Sequence, residues 1–127
     1  MTTEDQIRDI LMDLLDVEPE DILADTYLIR DLGAESIDLL ELAVAFNDAF
    51  QVEIVDDEIF LRQLRECIAD ADDSGRDREA VLSEHFTFLS RERIAEILGD
   101  LAGGPVLKVK DLVSYVQKAG AHAAAAA

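Results

Sequence analysis

Ser36 is the residue of this sequence whose surroundings most favour covalent chemistry. It follows the segment Asp31-Leu32-Gly33, which predicts a loop ending in a turn, because glycine accepts backbone angles that other residues resist. Apolar residues at helical spacing begin directly after Ser36, so we expect it to be the N-cap of a helix. The only histidines are His85 and His122, and no Ser-His-Asp arrangement can be assembled with them. Taken by themselves, these residues therefore favour a plain N-cap.

The predicted helix over residues 36–50 is apolar around more of its circumference than burial on one side requires. One face carries Ile37, Leu40 and Val44, and a neighbouring face carries Leu39, Leu42, Ala43, Phe46 and Phe50. We expect one of these faces to pack into the core and the other to remain exposed for binding partners.

The segment from Asp31 to Leu42 resembles the modification site of the acyl carrier proteins and related carrier domains. Their signature is a turn of the type Asp-Leu-Gly-x-Asp-Ser-Leu, with the serine at the start of the second helix. Glu35 stands in place of the usual Asp and Ile37 in place of the usual Leu, and both keep the charge or the hydrophobicity. The matching residues are Asp31, Leu32, Gly33, Ser36, Ile37, Asp38, Glu41 and Leu42.

The resemblance implies that Ser36 receives a 4′-phosphopantetheine group from coenzyme A, transferred by a phosphopantetheinyl transferase. The thiol at the end of this arm carries an acyl group as a thioester. A helix N-terminus suits the resulting phosphodiester, because free backbone N–H groups and the helix dipole favour negative charge there.

The resemblance also implies that the second helix is where the transferase and the acyl-transferring and acyl-modifying enzymes dock through basic patches. Contacts of this kind are steered by charge, weak and sensitive to salt. A solvated helix face without a partner is the alternative. The expected docking residues are Glu35, Ile37, Asp38, Leu40, Glu41, Val44 and Asp48.

Length and charge restrict the other possibilities. The 127 residues suffice for one domain with a substantial core and not for two. Residues 1–56 contain 16 acidic and two basic residues, whereas residues 57–127 contain 13 acidic and nine basic residues, for a formal net charge of −18. Repulsion of this size favours a soluble monomer and argues against nucleic acid as a partner. Basic patches on other proteins are the expected counterparts.

Cysteine content and hydropathy indicate a cytoplasmic protein without membrane insertion. Cys67 is the only cysteine, so an internal disulfide is excluded and a reducing compartment is expected. No apolar run approaches the length of a transmembrane segment, and the sequence after Met1 lacks the basic and apolar pattern of a signal peptide.

Apolar periodicity predicts an all-α fold, and the resemblance implies that it is a four-helix bundle of the acyl-carrier type with an additional helical insertion. The first helix is expected to begin at Thr3, with a capping box to Gln6, and the last to cover residues 109–116, with Lys108 where the family commonly has a capping Thr. We expect a single carrier domain over 1–120, an insertion over 57–104 and a low-complexity tail over 121–127. The expected bundle interior, an ordinary core unless an acyl chain enters it, is lined by Ile7, Leu11, Leu42, Phe46, Ile54 and Leu112.

The insertion is expected to be helical, which brings the prediction to five or six helices and no sheet. Apolar residues recur at helical spacing from Phe60 to Ile68 and from Val81 to Leu89, and Ser90 is expected to cap a further helix. Cys67 is interpreted as a packed helix residue and His85 as a packed or half-exposed helix residue. Three aromatic side chains either bury the insertion against the bundle or contact an acyl chain: Phe60, Phe86 and Phe88.

Residues 70–77 are acidic and predict a mobile loop. The pattern from Asp70 to Gly75 resembles the opening of a calcium-binding EF-hand, but Val81 occupies the position where a bidentate Glu is required. We therefore expect an acidic loop and no metal site.

The sequence thus predicts an acyl carrier protein of fatty-acid, lipid or polyketide biosynthesis that carries its cargo on Ser36 and catalyses nothing itself. An aminoacyl or peptidyl carrier protein of a nonribosomal pathway is the nearest alternative, and the strongly acidic second helix argues against it. A second alternative is an acidic helical adaptor in which Ser36 is never modified.

Overall fold

A computed structural model describes the backbone of residues 2–126 and the side chains of residues 2–120. This part of the chain contains no β-strand, only an isolated bridge between Tyr27 and Lys108. The all-helical prediction is confirmed, although the α-helices number seven rather than five or six. They are α1 (Thr3–Leu15), α2 (Ser36–Phe50), α3 (Asp56–Ile59), α4 (Leu64–Ser74), α5 (Arg78–His85), α6 (Arg91–Gly99) and α7 (Val109–Ala126). None of these helices is long and apolar enough to cross a membrane.

Helices α1, α2 and α7 pack against one another, and the short α3 packs on α7. Their apolar faces meet in a core in which five of the six predicted interior residues are fully buried, whereas Ile54 is half-buried. Helices α1, α2 and α7 correspond to the predicted bundle, whereas most of α3 falls within the insertion predicted over 57–104. The five fully buried residues are Ile7, Leu11, Leu42, Phe46 and Leu112.

Helices α4, α5 and α6 form a second group, here called the α4–α6 layer, in which α4 packs on α5 and α5 on α6. The layer has no separate core, because its buried residues belong to the same apolar cluster as those of the bundle. The fully buried side chains that it adds are Leu82, Phe86, Ile94 and Ile97.

The apolar run from Phe60 to Ile68 does not form one helix, contrary to the prediction. The chain leaves α3 at Phe60, turns, and enters α4 at Leu64. Leu61 adopts a left-handed backbone conformation (φ 56°) that bulky residues rarely tolerate, while its side chain is buried. Burial of apolar side chains on both sides of the turn offsets this strain, and helical spacing alone cannot reveal the interruption.

The acidic segment predicted as a loop over residues 70–77 is also different in the structure. Helix α4 continues to Ser74, and the turn is confined to Gly75, Arg76 and Asp77. Ala71 is buried and keeps the apolar face of α4 in contact with the layer, while Asp72 forms a salt bridge with Arg78 (2.7 Å). Tertiary packing therefore overrides the weak helix propensity of Asp and Ser.

Capping differs from the sequence prediction at α1 and agrees with it at α6. The N-cap of α1 is Thr2, which exchanges hydrogen bonds with Asp5, so the predicted box between Thr3 and Gln6 is wrong. Ser90 caps α6 by accepting the Arg93 N–H, as predicted. Helix α7 begins at the predicted residue, Val109, and extends to Ala126. The side chains of the predicted low-complexity tail over 121–127 lie outside the described residues.

A buried ion pair joins the α4–α6 layer to the bundle. Arg93 of α6 and Asp111 of α7 are almost completely buried, and two guanidinium nitrogens donate to the two carboxylate oxygens at 2.8 and 2.9 Å. Arg93 also donates to the carbonyl of Val106, and Asp111 also accepts the backbone N–H of Lys108. Burial lowers the pKa of Arg93, but the hydrogen bonds and the negative charge of Asp111 counteract burial, and the pKa is raised overall.

A second, partly exposed polar cluster holds the loop after α6. Tyr27 and Arg30 both donate to the carboxylate of Asp100, and Arg30 also donates to the carbonyl of Gly104 at 2.9 Å. A Cβ atom at Gly103 would lie 2.9 Å from a guanidinium nitrogen, so this position has little room for a side chain. The hydrogen bonds from Tyr27 and then from Arg30 lower the pKa of Asp100.

Replacing Asp111 by Ala is expected to lower the free energy of unfolding by about 3–5 kcal/mol, because Arg93 is left buried without its counter-charge. Urea unfolding followed by circular dichroism would measure the change. The double variant R93M/D111L, which buries no charge, is expected to recover part of the loss. A single variant as stable as the wild type would show that the pair does not hold the two groups of helices together.

Replacing Asp100 by Asn is expected to reduce the acid sensitivity of the fold. Because the pKa of Asp100 is lower in the folded state, its contribution is complete above the ordinary value of 3.8 and disappears as the pH falls below it. The stability difference between wild type and D100N should therefore shrink as unfolding is measured from pH 6 towards about pH 3. A difference that stays constant over this range would contradict the assignment.

Candidate functional site

The turn before Ser36 is closed by hydrogen bonds within the segment from Tyr27 to Gly33. The N–H of Tyr27 donates to the carboxylate of Asp31 at 2.9 Å, and the N–H of Asp31 returns to the carbonyl of Tyr27. The N–H of Gly33 donates to the carbonyl of Ile29 at 3.1 Å, with Gly33 in the left-handed region (φ 70°) that glycine adopts without strain. The Asp-x-Gly part of the motif thus has a structural role, which is to close this turn.

The turn is also tied to the segment before α7. Leu28 is fully buried, and its N–H donates to the carbonyl of Leu107 at 3.0 Å, while its own carbonyl accepts the N–H of Ala34. Ala34 is buried and lies two residues before Ser36. The start of α2 therefore has a fixed position relative to α7.

Ser36 is the first residue of α2 and not its N-cap, which corrects the prediction. The N-cap is Glu35, whose backbone N–H donates to the carboxylate of Asp38 at 2.8 Å and whose carbonyl accepts the N–H of Leu39. Asp38 thus takes the reciprocal part of a capping box, and the hydroxyl of Ser36 is not needed as a cap.

The hydroxyl group of Ser36 is available for modification. The residue is exposed, and its side chain forms no hydrogen bond within the described part of the chain. The first N–H groups of a helix lack partners inside the helix, and the dipole makes this end positive. An exposed hydroxyl beside such donors fits a phosphodiester, so the residues present are compatible with a 4′-phosphopantetheine group on Ser36.

The expected docking residues lie together on α2. Ile37, Leu40 and Val44 are 62, 51 and 62% exposed, and they account for three of the five large apolar side chains exposed in the described part of the protein. With Glu41 and Asp48 they line a shallow groove of about 430 Å³, which we call the α2 face. Glu35 is exposed and Asp38 half-buried at the end of α2 nearest Ser36.

The opposite side of α2 is buried, as its two apolar faces predicted. Phe46 and Leu42 are fully buried, and Leu39 and Ala43 are nearly so, whereas Phe50 is half-buried at the end of the helix. Exposed apolar side chains in a line, flanked by carboxylates, are typical of a surface that binds a partner.

The three aromatic residues of the predicted insertion have different surroundings in the structure. Phe86 is fully buried, which supports the packing interpretation for this residue. Phe88 is half-buried and stacks edge-on against Tyr115 of α7, with ring centroids 5.0 Å apart. Phe60 lines a groove that is described below, and Phe88 lines a cavity of about 500 Å³, so acyl contact stays a hypothesis for both of these residues.

The remaining candidates take no part in the site. Burial raises the pKa of the Cys67 thiol, which disfavours the reactive thiolate. His85 lies 3.0 Å from the amide oxygen of Gln63 and against the ring of Phe86. Within the described residues, no group of three or more His, Cys, Asp or Glu side chains could hold a metal ion.

A second groove, which the sequence did not predict, lies beside the turn that precedes Ser36. It has a volume of about 290 Å³, and its lining combines apolar residues with Arg62 and Arg65. We call it the arginine groove. The indication of this groove in the sequence was the pair of basic residues, three positions apart, that follows the acidic run over 56–58. The lining comprises Ile29, Phe60, Leu61, Arg62, Leu64, Arg65, Leu101, Gly104, Pro105, Val106 and Leu107.

Comparison with known protein families gives one match. The family described as "Phosphopantetheine attachment site" matches residues 5–69, which include α1, α2, α3 and the first part of α4. The matched region contains Ser36, the turn before it and the α2 face. It continues beyond residue 57, where the insertion was predicted to begin. No solved structure matches the chain.

Curated relatives match over a similar stretch. An acyl carrier protein of Akkermansia muciniphila is 44% identical over 55 residues, covering 43% of this chain and 69% of the relative. Acyl carrier proteins of Campylobacter curvus and Nitratidesulfovibrio vulgaris are each 41% identical over 58 residues, covering 46% of this chain and 75% and 76% of the relatives. The names of these relatives favour an acyl carrier over an aminoacyl or peptidyl carrier.

Proposed function

This chain belongs to the phosphopantetheine-attachment family that includes the acyl carrier proteins, and we propose that Ser36 is the residue to which its 4′-phosphopantetheine is attached. The observation that carries the proposal is the exposed Ser36 hydroxyl, which starts α2 without serving as its cap. The surrounding turn is closed by hydrogen bonds and presents this oxygen in one place.

The attachment reaction leaves its catalysis to another enzyme. The Ser36 oxygen attacks the β-phosphate of coenzyme A, a P–O bond forms, and the phosphoanhydride bond breaks, so that adenosine 3′,5′-bisphosphate leaves. The hydroxyl proton passes to a base of the transferase. Both histidines of this chain lie far from Ser36 in sequence, and His85 contacts Gln63 and Phe86. Ser36 is therefore a substrate and not the nucleophile of a reaction catalysed by this protein.

When attached, the group supplies a terminal thiol that holds an acyl group as a thioester. The contribution of this chain is to position the attachment oxygen, to place backbone N–H groups beside the phosphodiester, and to present a surface that partners recognise. It thereby serves as an acyl carrier between separate enzymes of fatty-acid, lipid or polyketide assembly.

The α2 face is the proposed docking surface for the transferase and for acyl-handling enzymes. Exposed Leu40 and Val44 provide apolar contact area, and the carboxylates of Glu41 and Asp48 border it. A partner with a basic patch around an apolar centre complements this arrangement. The net charge of −18 adds long-range attraction to such a partner.

Incubation with coenzyme A, magnesium and a broad-specificity phosphopantetheinyl transferase is expected to add the mass of one phosphopantetheine group. Intact mass spectrometry would detect the addition. Ser36→Ala should abolish it, and Ser74→Ala should not, because Ser74 is also exposed but lies at the end of a helix. Addition to the Ser36→Ala protein would place the attachment site elsewhere.

Reversing charge on the α2 face is expected to raise the KM of the transferase about tenfold, because like charges then face each other across the interface. The test compares Glu41→Lys with Asp73→Lys, a reversal at an exposed position on α4, at several salt concentrations. The kcat should change little in either variant, and salt should reduce the effect. An equal rise in KM for both variants would indicate a general charge effect and not docking on α2.

A further inference from the structure

The arginine groove differs in charge from the rest of the molecule. The sequence has 29 acidic and 11 basic residues, yet Arg62 and Arg65 are the only charged side chains among the described residues that line this groove. Its other lining residues are apolar or glycine. A groove of this composition attracts a ligand that combines an anionic group with apolar groups.

Both guanidinium groups are free to bind a ligand. Seven of the 11 basic side chains form salt bridges, and Lys118 donates to a backbone carbonyl. Within the described part of the chain, Arg62, Arg65 and Arg91 form neither salt bridges nor side-chain hydrogen bonds, and only the first two share a groove. An exposed cation without a partner in so acidic a chain is a candidate for an external carboxylate.

The backbone fixes where these two residues are presented. Leu61, in its left-handed conformation, turns the chain between α3 and α4 directly before Arg62. Arg65 lies in the first turn of α4, where the helix dipole adds positive potential. Strained backbone at a buried residue beside an open groove is typical of functional sites.

The groove borders the turn that presents Ser36. Ile29 lines the groove, and its carbonyl accepts the N–H of Gly33, three residues before Ser36. The phosphopantetheine arm has the length of about four extended residues, or about 15 Å. An arm of this length can extend from Ser36 along the turn towards the groove.

Given Ser36 as the attachment site, on which this inference rests, we propose that the arginine groove binds the acyl group of the loaded carrier and favours a short acyl chain that ends in a free carboxylate. The carboxylate pairs with Arg62 and Arg65, and the methylene groups contact apolar residues such as Phe60 and Leu107. The volume of about 290 Å³ has room for about ten non-hydrogen atoms, which suits a dicarboxylic acyl group of about six carbons and not a long fatty acyl chain.

The test loads the carrier from coenzyme A thioesters with two acyl groups of nearly equal shape, adipoyl and the neutral 6-oxoheptanoyl. Intact mass first establishes that each group is attached to the wild type and absent from Ser36→Ala. The rate at which hydroxylamine cleaves each thioester then measures its exposure. Absence of loading would refute the proposed function, whereas normal loading with unselective exposure would refute only the groove.

In the wild type we expect adipoyl to be cleaved about fivefold more slowly than 6-oxoheptanoyl, relative to the same two groups on free pantetheine. R62Q/R65Q should remove this difference. The matched double variant R76Q/R91Q, which removes the same charge from exposed positions outside the groove, should retain it. Salt at 0.5 M should reduce the difference in the wild type, a check that does not depend on any variant folding.

Three results would overturn the inference. The first is equal protection of the two acyl groups in the wild type. The second is an equal loss of selectivity in R76Q/R91Q, which would indicate an effect of overall charge. The third is a change in the alkylation rate of the unacylated thiol in R62Q/R65Q that matches the change for adipoyl, because the arginines would then bind the phosphodiester of the arm and not the acyl carboxylate.

Discussion

The ion pair between Arg93 and Asp111 is the buried polar contact that joins the two groups of helices across their shared apolar cluster. Two nearly buried charges are costly to remove from water, and here each has further partners that reduce the cost: the carbonyl of Val106 for the guanidinium and the N–H of Lys108 for the carboxylate. The bond from the Lys108 N–H to Asp111 also satisfies a backbone donor at the start of α7. Lys108 stands where the family commonly has a capping Thr, and Asp111 thus joins the start of α7 to the α4–α6 layer.

The same region determines the position of Ser36. Arg93 holds the carbonyl of Val106, the next residue, Leu107, accepts the N–H of Leu28, and Leu28 in turn holds Ala34. A continuous series of hydrogen bonds therefore runs from α6 to the turn before α2. A site on a turn needs such support, because a modified side chain is recognised only if the surrounding surface has one arrangement. The α4–α6 layer accordingly stabilises the carrier site as well as enlarging the protein.

The features of the fold that were predicted correctly depend on local periodicity and on the backbone conformation that one turn requires. The stripes of α1, α2 and α7 require only spacing, and Gly33 requires a left-handed backbone. The features that were not predicted depend on distant partners. Nothing near Leu61 indicates a left-handed turn, and nothing near Arg93 indicates burial, because its partner lies 18 residues away. The N-cap of α2 was misplaced by one residue because the carboxylate of Asp38, and not the Ser36 hydroxyl, completes the cap.

The charges around Ser36 have two different roles. Under the proposed function, the exposed acidic residues on the α2 face act on partners at long range, so their effect on docking is strong in rate and modest in affinity. Arg62 and Arg65 are exposed as well, and an ion pair at such a position contributes about 1 kcal/mol or less. Weak retention is what a carrier requires, because a cargo held tightly could not pass to the next enzyme. If a partner with a basic patch docks on the α2 face as proposed, its cations lie near Ser36 and compete for the same carboxylate, so docking would favour release from the arginine groove.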